Sequence, residues 1–192
     1  MNQNTSEKTK RLVTVAMLCA VSYVAMVAIH LNLVPAAPFL TYDPKDVFIG
    51  IGGFLFGPAY ALIISLIVAF LEMITVSDTG IIGFLMQVIA TLAFAGTASL
   101  IYRKMHVKRG AELGLVAGVI CMTLVMVLWN YLLTPIYLGT DRAAVASLLV
   151  PAIIPFNLIK GIINSLIIFV LYKPLVNALR RSGFAPASHT LG

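Results

Sequence analysis

Three polar residues, Asn157, Lys160 and Asn164, interrupt an otherwise apolar stretch near the end of the chain. Their spacings of three and four residues place them along one face of an α-helix. An ammonium group and two amides can donate and accept hydrogen bonds, and nothing around them indicates covalent chemistry. The stripe therefore predicts recognition of a ligand rich in carbonyl and hydroxyl groups. A structural interpretation stays open, in which Lys160 extends to the membrane surface and the amides bond to neighbouring helices.

Two other segments contain residues that could contact such a ligand. In "WNYLLTP" (129–135), Asn130 can offer a donor and an acceptor to a planar heterocycle, although an interfacial aromatic belt would also explain the segment. In "PFLTYDPKD" (38–46), prolines stiffen the chain around bulky side chains, as expected of a lid over a cavity. The alternative is a loop that packs on its own bundle. Glu72 and Gln87 are also polar residues in apolar surroundings, and the sequence assigns them no role.

The composition identifies the elements that must position these residues. Of the 192 residues, 60% are hydrophobic and only 10% are charged, which is far from the composition of soluble domains. Apolar runs of about 20 residues, long enough to cross a ~30 Å hydrocarbon core, recur along the chain. We therefore expect an all-α membrane protein that crosses the bilayer several times. The ~10-residue alternating segments of a transmembrane barrel are absent from the sequence.

The number of crossings follows from the basic residues. If the apolar stretch 47–76 were one helix, the chain would cross the membrane five times. The basic residues at 103–109 and those at the C-terminus would then both lie outside, across the membrane from the basic N-terminus, against the positive-inside rule. A turn at Gly57–Pro58 removes the conflict and creates a short second helix, about Pro44 to Phe56. The prediction is a bundle of six transmembrane helices with a structured external loop between the first two. The predicted crossings are about 12–31, 44–56, 58–76, 81–101, 113–131 and 152–172.

This topology divides the chain into three parts. Residues 1–11 form a cytoplasmic N-terminal segment, residues 12–179 a membrane domain that binds the substrate, and residues 180–192 a cytoplasmic tail. The formal charge of +6 comes from basic residues at the ends of spans rather than on one solvated surface. Binding of nucleic acid is therefore not expected.

Several kinds of site are missing from the sequence. It has no glycine-rich phosphate loop, no His-Glu-x-x-His and no Ser/His/Asp set, and its three histidines are dispersed. The two cysteines, Cys19 and Cys121, lie in apolar runs and suggest neither a disulfide nor a metal site. We expect no enzyme, no catalytic residues, no metal and no cofactor.

Small residues at a spacing of four allow close approach between helices. Ala16 and Ala20 form such a pattern in the first span, and Gly114 and Gly118 form another in the fifth. Each pattern alone is weak evidence for a partner.

Five segments together resemble one family. They are "FLTYDPKD" (39–46), "GGFLFGP" (52–58), "SDTGIIGFLMQ" (77–87), "NYLLTPIY" (130–137) and "VPAIIPFNLIKGIINSL" (150–166). The chain resembles the riboflavin-binding S-component of energy-coupling factor (ECF) vitamin transporters. The resemblance runs through all the predicted spans in order.

The resemblance implies a function and a set of site residues. It implies a subunit of a bacterial plasma membrane that captures riboflavin from outside and docks on a transmembrane coupling protein and two ATP-binding-cassette ATPases. By the resemblance, the flavin would contact Asn130, Asn157 and Lys160, with Asn164 fitting the stripe less firmly, and Leu40, Thr41 and Tyr42 would cover the ring. Ala16 and Ala20 would meet the coupling protein. Binding of FMN, another heterocyclic vitamin as the ligand, and a membrane subunit without transport all stay open.

Overall fold

The computed structural model describes residues 3–35, 37 and 39–184, and in this part the chain is mainly helical. Helices α1 (Gln3–Ala28) and α2 (Lys45–Phe56) are separated by a loop of residues 29–44, the α1–α2 loop. Two-residue strands in this loop, β1 (Leu31–Asn32) and β2 (Thr41–Tyr42), pair antiparallel with Leu31 opposite Tyr42. The elements in chain order are α1 (Gln3–Ala28), β1 (Leu31–Asn32), β2 (Thr41–Tyr42), α2 (Lys45–Phe56), α3 (Pro58–Thr75), α4 (Gly80–Thr91), α5 (Thr97–Met105), α6 (Lys108–Leu138), α7 (Arg142–Leu148) and α8 (Ile154–Arg181).

In two places, consecutive helices are joined into one continuous helix by a π-helical turn. The turn Leu92–Gly96 joins α4 to α5, and the turn Leu149–Ile153 joins α7 to α8. Among the described residues, five helical stretches are long and apolar enough to cross a membrane: Ser6–Ala28, Pro58–Thr75, Gly80–Met105, Lys108–Leu138 and Arg142–Arg181. The predicted all-α membrane architecture is confirmed at this level. Helix α2 has 12 residues, about 18 Å, so a sixth crossing stays a prediction.

The chain breaks between α2 and α3 where the sequence predicts a turn. Gly57 adopts φ 97°, a backbone conformation that favours glycine, and Pro58 opens α3, where a missing N–H leaves no helical acceptor unsatisfied. This turn lies at the basic end of the bundle. The Arg11 guanidinium donates to the Tyr60 hydroxyl (3.3 Å) and also lies 5.9 Å from the centre of the Phe56 ring.

The opposite end of the bundle contains the α1–α2 loop. Its side chains form an apolar cluster with α7, α8 and the turn between them: Ala37, Leu40, Tyr42, Val145, Ala152, Ile153 and Phe156. Leu40 and Tyr42 are buried. The loop therefore packs on its own bundle, as one of the two sequence interpretations expected, and it also forms one wall of the cavity described below.

Several helix ends differ from the prediction. Helix α8 continues to Arg181, beyond the predicted end at Tyr172, and the ends on either side of Gly139 also differ. Helix α6 continues to Leu138, beyond the predicted end at Tyr131, and ends where Gly139 adopts a left-handed conformation (φ 63°). The next helix begins at Arg142, ahead of the predicted start at Ala152, and the π turn contains Pro151. The prediction placed both boundaries at the limits of the apolar runs. In the structure, α6 ends at Gly139, and the next helix begins after Asp141, which has an extended backbone.

The glycine pattern in α6 serves packing within the chain. A Cβ atom on Gly114 would lie 2.6 Å from the carbonyl oxygen of Ala98, and one on Gly118 would lie 2.6 Å from that of Phe94. The pattern therefore brings α6 against α5 and the π turn before it. The predicted division at residue 11 falls inside α1, and residues 185–192 of the predicted tail lie outside the described part of the chain.

Candidate functional site

A cavity opens beneath the α1–α2 loop, at the end of the bundle opposite Arg11. Its volume is about 730 Å³, counting the space at its mouth. The described side chains that line it come from the α1–α2 loop, the α3–α4 connection, α4, α6 and α8: Phe39, Leu40, Thr41, Thr79, Ile82, Gly83, Met86, Gln87, Ala90, Met122, Met126, Asn130, Thr134, Tyr137, Phe156, Asn157 and Lys160.

The structure brings together most of the residues that the sequence analysis selected. The five that line the cavity are Leu40, Thr41, Asn130, Asn157 and Lys160. Tyr42 and Asn164 are not among the lining residues. The Tyr42 hydroxyl instead donates to Oδ1 of Asn164 (3.1 Å), a buried bond that fastens the loop to α8. In the structure these two residues support the wall.

The ammonium group of Lys160 already has counter-charges within the protein. We expected its ammonium group to need a ligand, but Nζ lies 3.2 Å from Oδ2 of Asp43 and 3.6 Å from Oδ2 of Asp46. Both carboxylates belong to the "DPKD" segment, so the α1–α2 loop and the start of α2 supply the counter-charges. Burial of all three side chains makes such pairing necessary, because an isolated buried charge is strongly unfavourable.

The pair is part of a larger buried ionic cluster. Lys45 Nζ lies 2.5 Å from Oε2 of Glu72 and 3.5 Å from Oδ2 of Asp43, and the Thr91 hydroxyl donates to Oδ1 of Asp46 (2.6 Å). The ionic cluster, defined as Asp43, Lys45, Asp46, Glu72 and Lys160, contains three carboxylates and two ammonium groups. Its formal charge is therefore −1, and it links the α1–α2 loop to α2, α3 and α8.

Asp43 is the member of the cluster that lies in the loop. Burial alone would raise the pKa of its carboxyl, but the ammonium groups of Lys160 and Lys45 outweigh that effect. The backbone N–H of Lys45 also donates to its Oδ1 (3.2 Å). Together these contacts lower the pKa of Asp43 to about 2, so this residue remains a counter-charge at neutral pH.

The cavity amides are held by their own helices. Asn157 donates from Nδ2 to the carbonyl oxygen of Ile153 (2.8 Å), and its Oδ1 has no donor among the described residues. Asn130 donates to Met126 O (2.8 Å) and accepts from the Thr134 hydroxyl (2.9 Å). Asn157 therefore offers the cavity an acceptor in a fixed orientation.

Gln87 is a lining residue to which the sequence analysis gave no role. Its Nε2 donates to Oε1 of Glu72 (3.3 Å), while the other oxygen of Glu72 accepts from Lys45. Because a carboxylate can only accept, this contact fixes which end of the Gln87 amide points away from Glu72. Glu72 thus connects the ionic cluster to the cavity.

Several other lining residues were missed. Thr134 lies one helical turn after Asn130, and this spacing could have predicted that both face the cavity. It was missed because the predicted span ended at Tyr131. Tyr137 and Phe156 line the cavity with Phe39, and three methionines, Met86, Met122 and Met126, complete the apolar wall. Apolar and aromatic walls with a few oriented polar groups suit a flat heterocycle that has carbonyl and N–H groups.

The two alanines of α1 lie on its exposed face. Ala16 and Ala20 are exposed, whereas Val15 and Cys19 beside them are buried. The surface around the alanines includes Leu12 and Val24, which are 67% and 63% exposed. Contact of this face with a coupling protein stays a prediction.

The chain is similar in sequence to known transporter proteins. Residues 10–172 match the family model described as "ECF transporter, substrate-specific component". The chain is 33% identical over 183 residues to the riboflavin transporter RibU of Staphylococcus aureus (strain TCH60), covering 91% of this chain and 95% of that protein. It is 30% identical over 187 residues to the riboflavin transporter FmnP of Bacillus subtilis (strain 168), covering 90% and 97%.

A solved structure has the same fold. It is the S component of a bacterial ECF transporter, similar to this chain with a TM-score of 0.76 and 33% identity, over 90% of this chain and 98% of that one. The family and the apolar helices together support a multi-pass membrane protein that acts in transport and not as an enzyme. The chain belongs to the family of substrate-specific components of ECF transporters.

Proposed function

We propose that this chain captures riboflavin from the outer side of the membrane and delivers it as the substrate-binding subunit of an ATP-driven importer. Two curated relatives, each covered over at least 95% of its length, are named riboflavin transporters. The observation that carries the proposal is the cavity beneath the α1–α2 loop, with its apolar walls and oriented amides.

The chemistry of the cavity matches that of the ligand. Riboflavin has a flat ring system with an imide N–H between two carbonyl groups, and a ribityl chain with hydroxyl groups. Asn157 offers Oδ1 as an acceptor for such an N–H, and Lys160 and Thr41 offer donors to ring or chain oxygens. Phe39, Tyr137 and Phe156 supply aromatic surface for the ring.

We further propose how the chain lies in the membrane. The chain crosses a bacterial plasma membrane six times, with α2 as the short crossing and both termini in the cytoplasm. The contacts of Arg11 with Tyr60 and Phe56 place basic residues beside the α2–α3 turn, which favours this end as the cytoplasmic one. The exposed face with Ala16 and Ala20 docks on a coupling protein, which two ATP-binding-cassette ATPases drive.

The protein purified in detergent tests the ligand directly. We expect yellow preparations, and quenching of flavin fluorescence when riboflavin is added to protein freed of ligand. Protein that is colourless and does not quench flavin fluorescence would contradict riboflavin, and direct binding titrations with other heterocyclic vitamins would then identify the alternative ligand.

Variants of α8 test the site separately from the ligand. Asn157→Leu and Lys160→Met should weaken riboflavin binding by several kcal/mol, because buried polar groups lose their partners. Asn177→Leu and Arg181→Met are matched controls, since both residues are exposed on the same helix and neither lines the cavity. Binding that survives in the first pair would reject the assigned site while leaving riboflavin as the ligand.

A further inference from the structure

A second cavity lies at the basic end of the bundle, away from the substrate cavity. It has a volume of about 560 Å³, counting open solvent. Two ammonium groups border it, from Lys108 at the start of α6 and Lys173 near the end of α8. The other described lining residues are Phe54, Ala111, Leu115, Ile168, Phe169 and Tyr172.

An apolar groove continues from this cavity along the surface between α6 and α8. The two share Leu115 and Phe169, and the groove has a volume of about 890 Å³ with open solvent. Close contact of the helices limits the groove toward the membrane centre, since a Cβ on Gly161 would lie 2.9 Å from Val119 Cγ2. The other described residues along the groove are Glu112, Val116, Ile120, Ile162, Ser165 and Leu166.

The second cavity and the groove together match the depth of one leaflet. From Lys108, which borders the cavity, to Ile120, the last α6 residue along the groove, α6 rises about 18 Å at 1.5 Å per residue. The hydrocarbon of one leaflet is about 15 Å thick, half of a ~30 Å core. With Lys108 at the polar surface, the groove would reach the middle of the bilayer, as an acyl chain does.

The charged groups at the second cavity favour an anionic headgroup. Lys108 and Lys173 form no ion pair among the described residues, although Lys108 Nζ lies 5.3 Å from the centre of the Phe169 ring. The buried side chain of Tyr172 also lines this cavity. Glu112 contributes one negative charge next to the cavity, so the three charged groups sum to +1.

We propose that Lys108 and Lys173 bind the phosphate of an anionic glycerophospholipid, with one acyl chain lying in the groove between α6 and α8. Charge complementarity selects the headgroup, since basic pockets between transmembrane helices bind anionic lipids. The apolar groove selects a lipid over a soluble phosphate. The site is separate from the substrate cavity, so its occupation does not depend on the identity of the transported vitamin.

Thermal unfolding of the full chain in detergent tests this proposal. We expect phosphatidylglycerol to raise the Tm several degrees more than phosphatidylcholine does. The double variant Lys108→Gln/Lys173→Gln should lose at least half of this difference, and Glu112→Gln should increase it by removing the negative charge. The matched control is Lys104→Gln/Arg181→Gln, which removes two exposed basic residues that do not line the cavity. The control should retain the difference.

Further outcomes decide against the proposal. An equal loss in the control would mean that the lipid responds to general surface charge. Equal stabilisation by glycerol 3-phosphate or inorganic phosphate would mean that the site binds a soluble anion and does not need the groove. If the double variant does not give a monodisperse protein, Lys108→Gln and Lys173→Gln alone should each lose part of the difference, and full retention in both would overturn the proposal.

Discussion

The Nζ atom of Lys160 lies 3.2 Å from Oδ2 of Asp43, across 117 residues of sequence. This ion pair joins α8, which forms one wall of the cavity, to the loop that covers the cavity. Asp46 provides a second carboxylate at 3.6 Å. The position of the loop over the cavity and the electrostatics of the cavity wall therefore depend on the same buried contact.

A double-mutant cycle should reveal this coupling. Lys160→Met leaves Asp43 and Asp46 without their shared cation, and breaking a buried pair costs about 3–5 kcal/mol. Adding Asp43→Asn to Lys160→Met should recover part of that loss, because it removes one negative charge from a cluster that has lost a positive one and keeps only Lys45 as a cation. Thermal unfolding in detergent measures the effect, with Lys104→Met as an exposed lysine control. Additive losses in the double variant would show that the pair does not couple the two elements.

Glu72 should influence ligand binding through Gln87. Glu72→Gln removes the charge that pairs with Lys45 and allows the Gln87 amide to turn, because the new side chain can donate as well as accept. We expect weaker binding of riboflavin by about 1–2 kcal/mol and a lower Tm. Gln87→Leu should weaken binding with a smaller change in Tm, since it leaves the Lys45–Glu72 pair intact. A Gln87→Leu protein with unchanged affinity in a fluorescence titration would exclude Gln87 from the site.

FMN should bind less tightly than riboflavin. Lys160 is the charged residue among the described lining residues, and two carboxylates already compensate it. A phosphate group would meet no free cation and a cluster of formal charge −1. We expect an affinity at least about tenfold lower, or 1.4 kcal/mol, in displacement titrations at pH 7. The deficit should shrink near pH 5, where the phosphate gains a proton. Equal affinities at pH 7 would place the phosphate outside the cavity.

The stabilising effect of Asp43 should depend on pH in a defined direction. The pKa of Asp43 is lowered from 3.8 to about 2 in the folded protein, so its charge favours folding above pH 4 and loses this effect as the pH falls toward 2. The difference in Tm between the original protein and Asp43→Asn should therefore be constant from pH 7 to 5 and decline below about pH 4. A decline already between pH 7 and 5 would contradict the lowered pKa.

Local patterns in the sequence were sufficient for much of the architecture. The apolar runs predicted the long helices, and the Gly57–Pro58 pair predicted the break between α2 and α3, because both signals act within a few residues. The spacing of Asn157 and Lys160 predicted that they share a helix face, and both line the cavity. Thr134 and Tyr137 were missed because hydropathy ended the helix too early.

The sequence by itself determined that the chain forms apolar helices with rare polar groups placed on particular faces, since helical periodicity is a local property. Only the tertiary structure decided which partners those groups find. That Lys160 pairs with Asp43 and Asp46, and that Tyr42 bonds to Asn164 instead of lining the cavity, depends on the path of the α1–α2 loop across the bundle. Such contacts join residues more than 100 positions apart, and no local pattern encodes the distance between them.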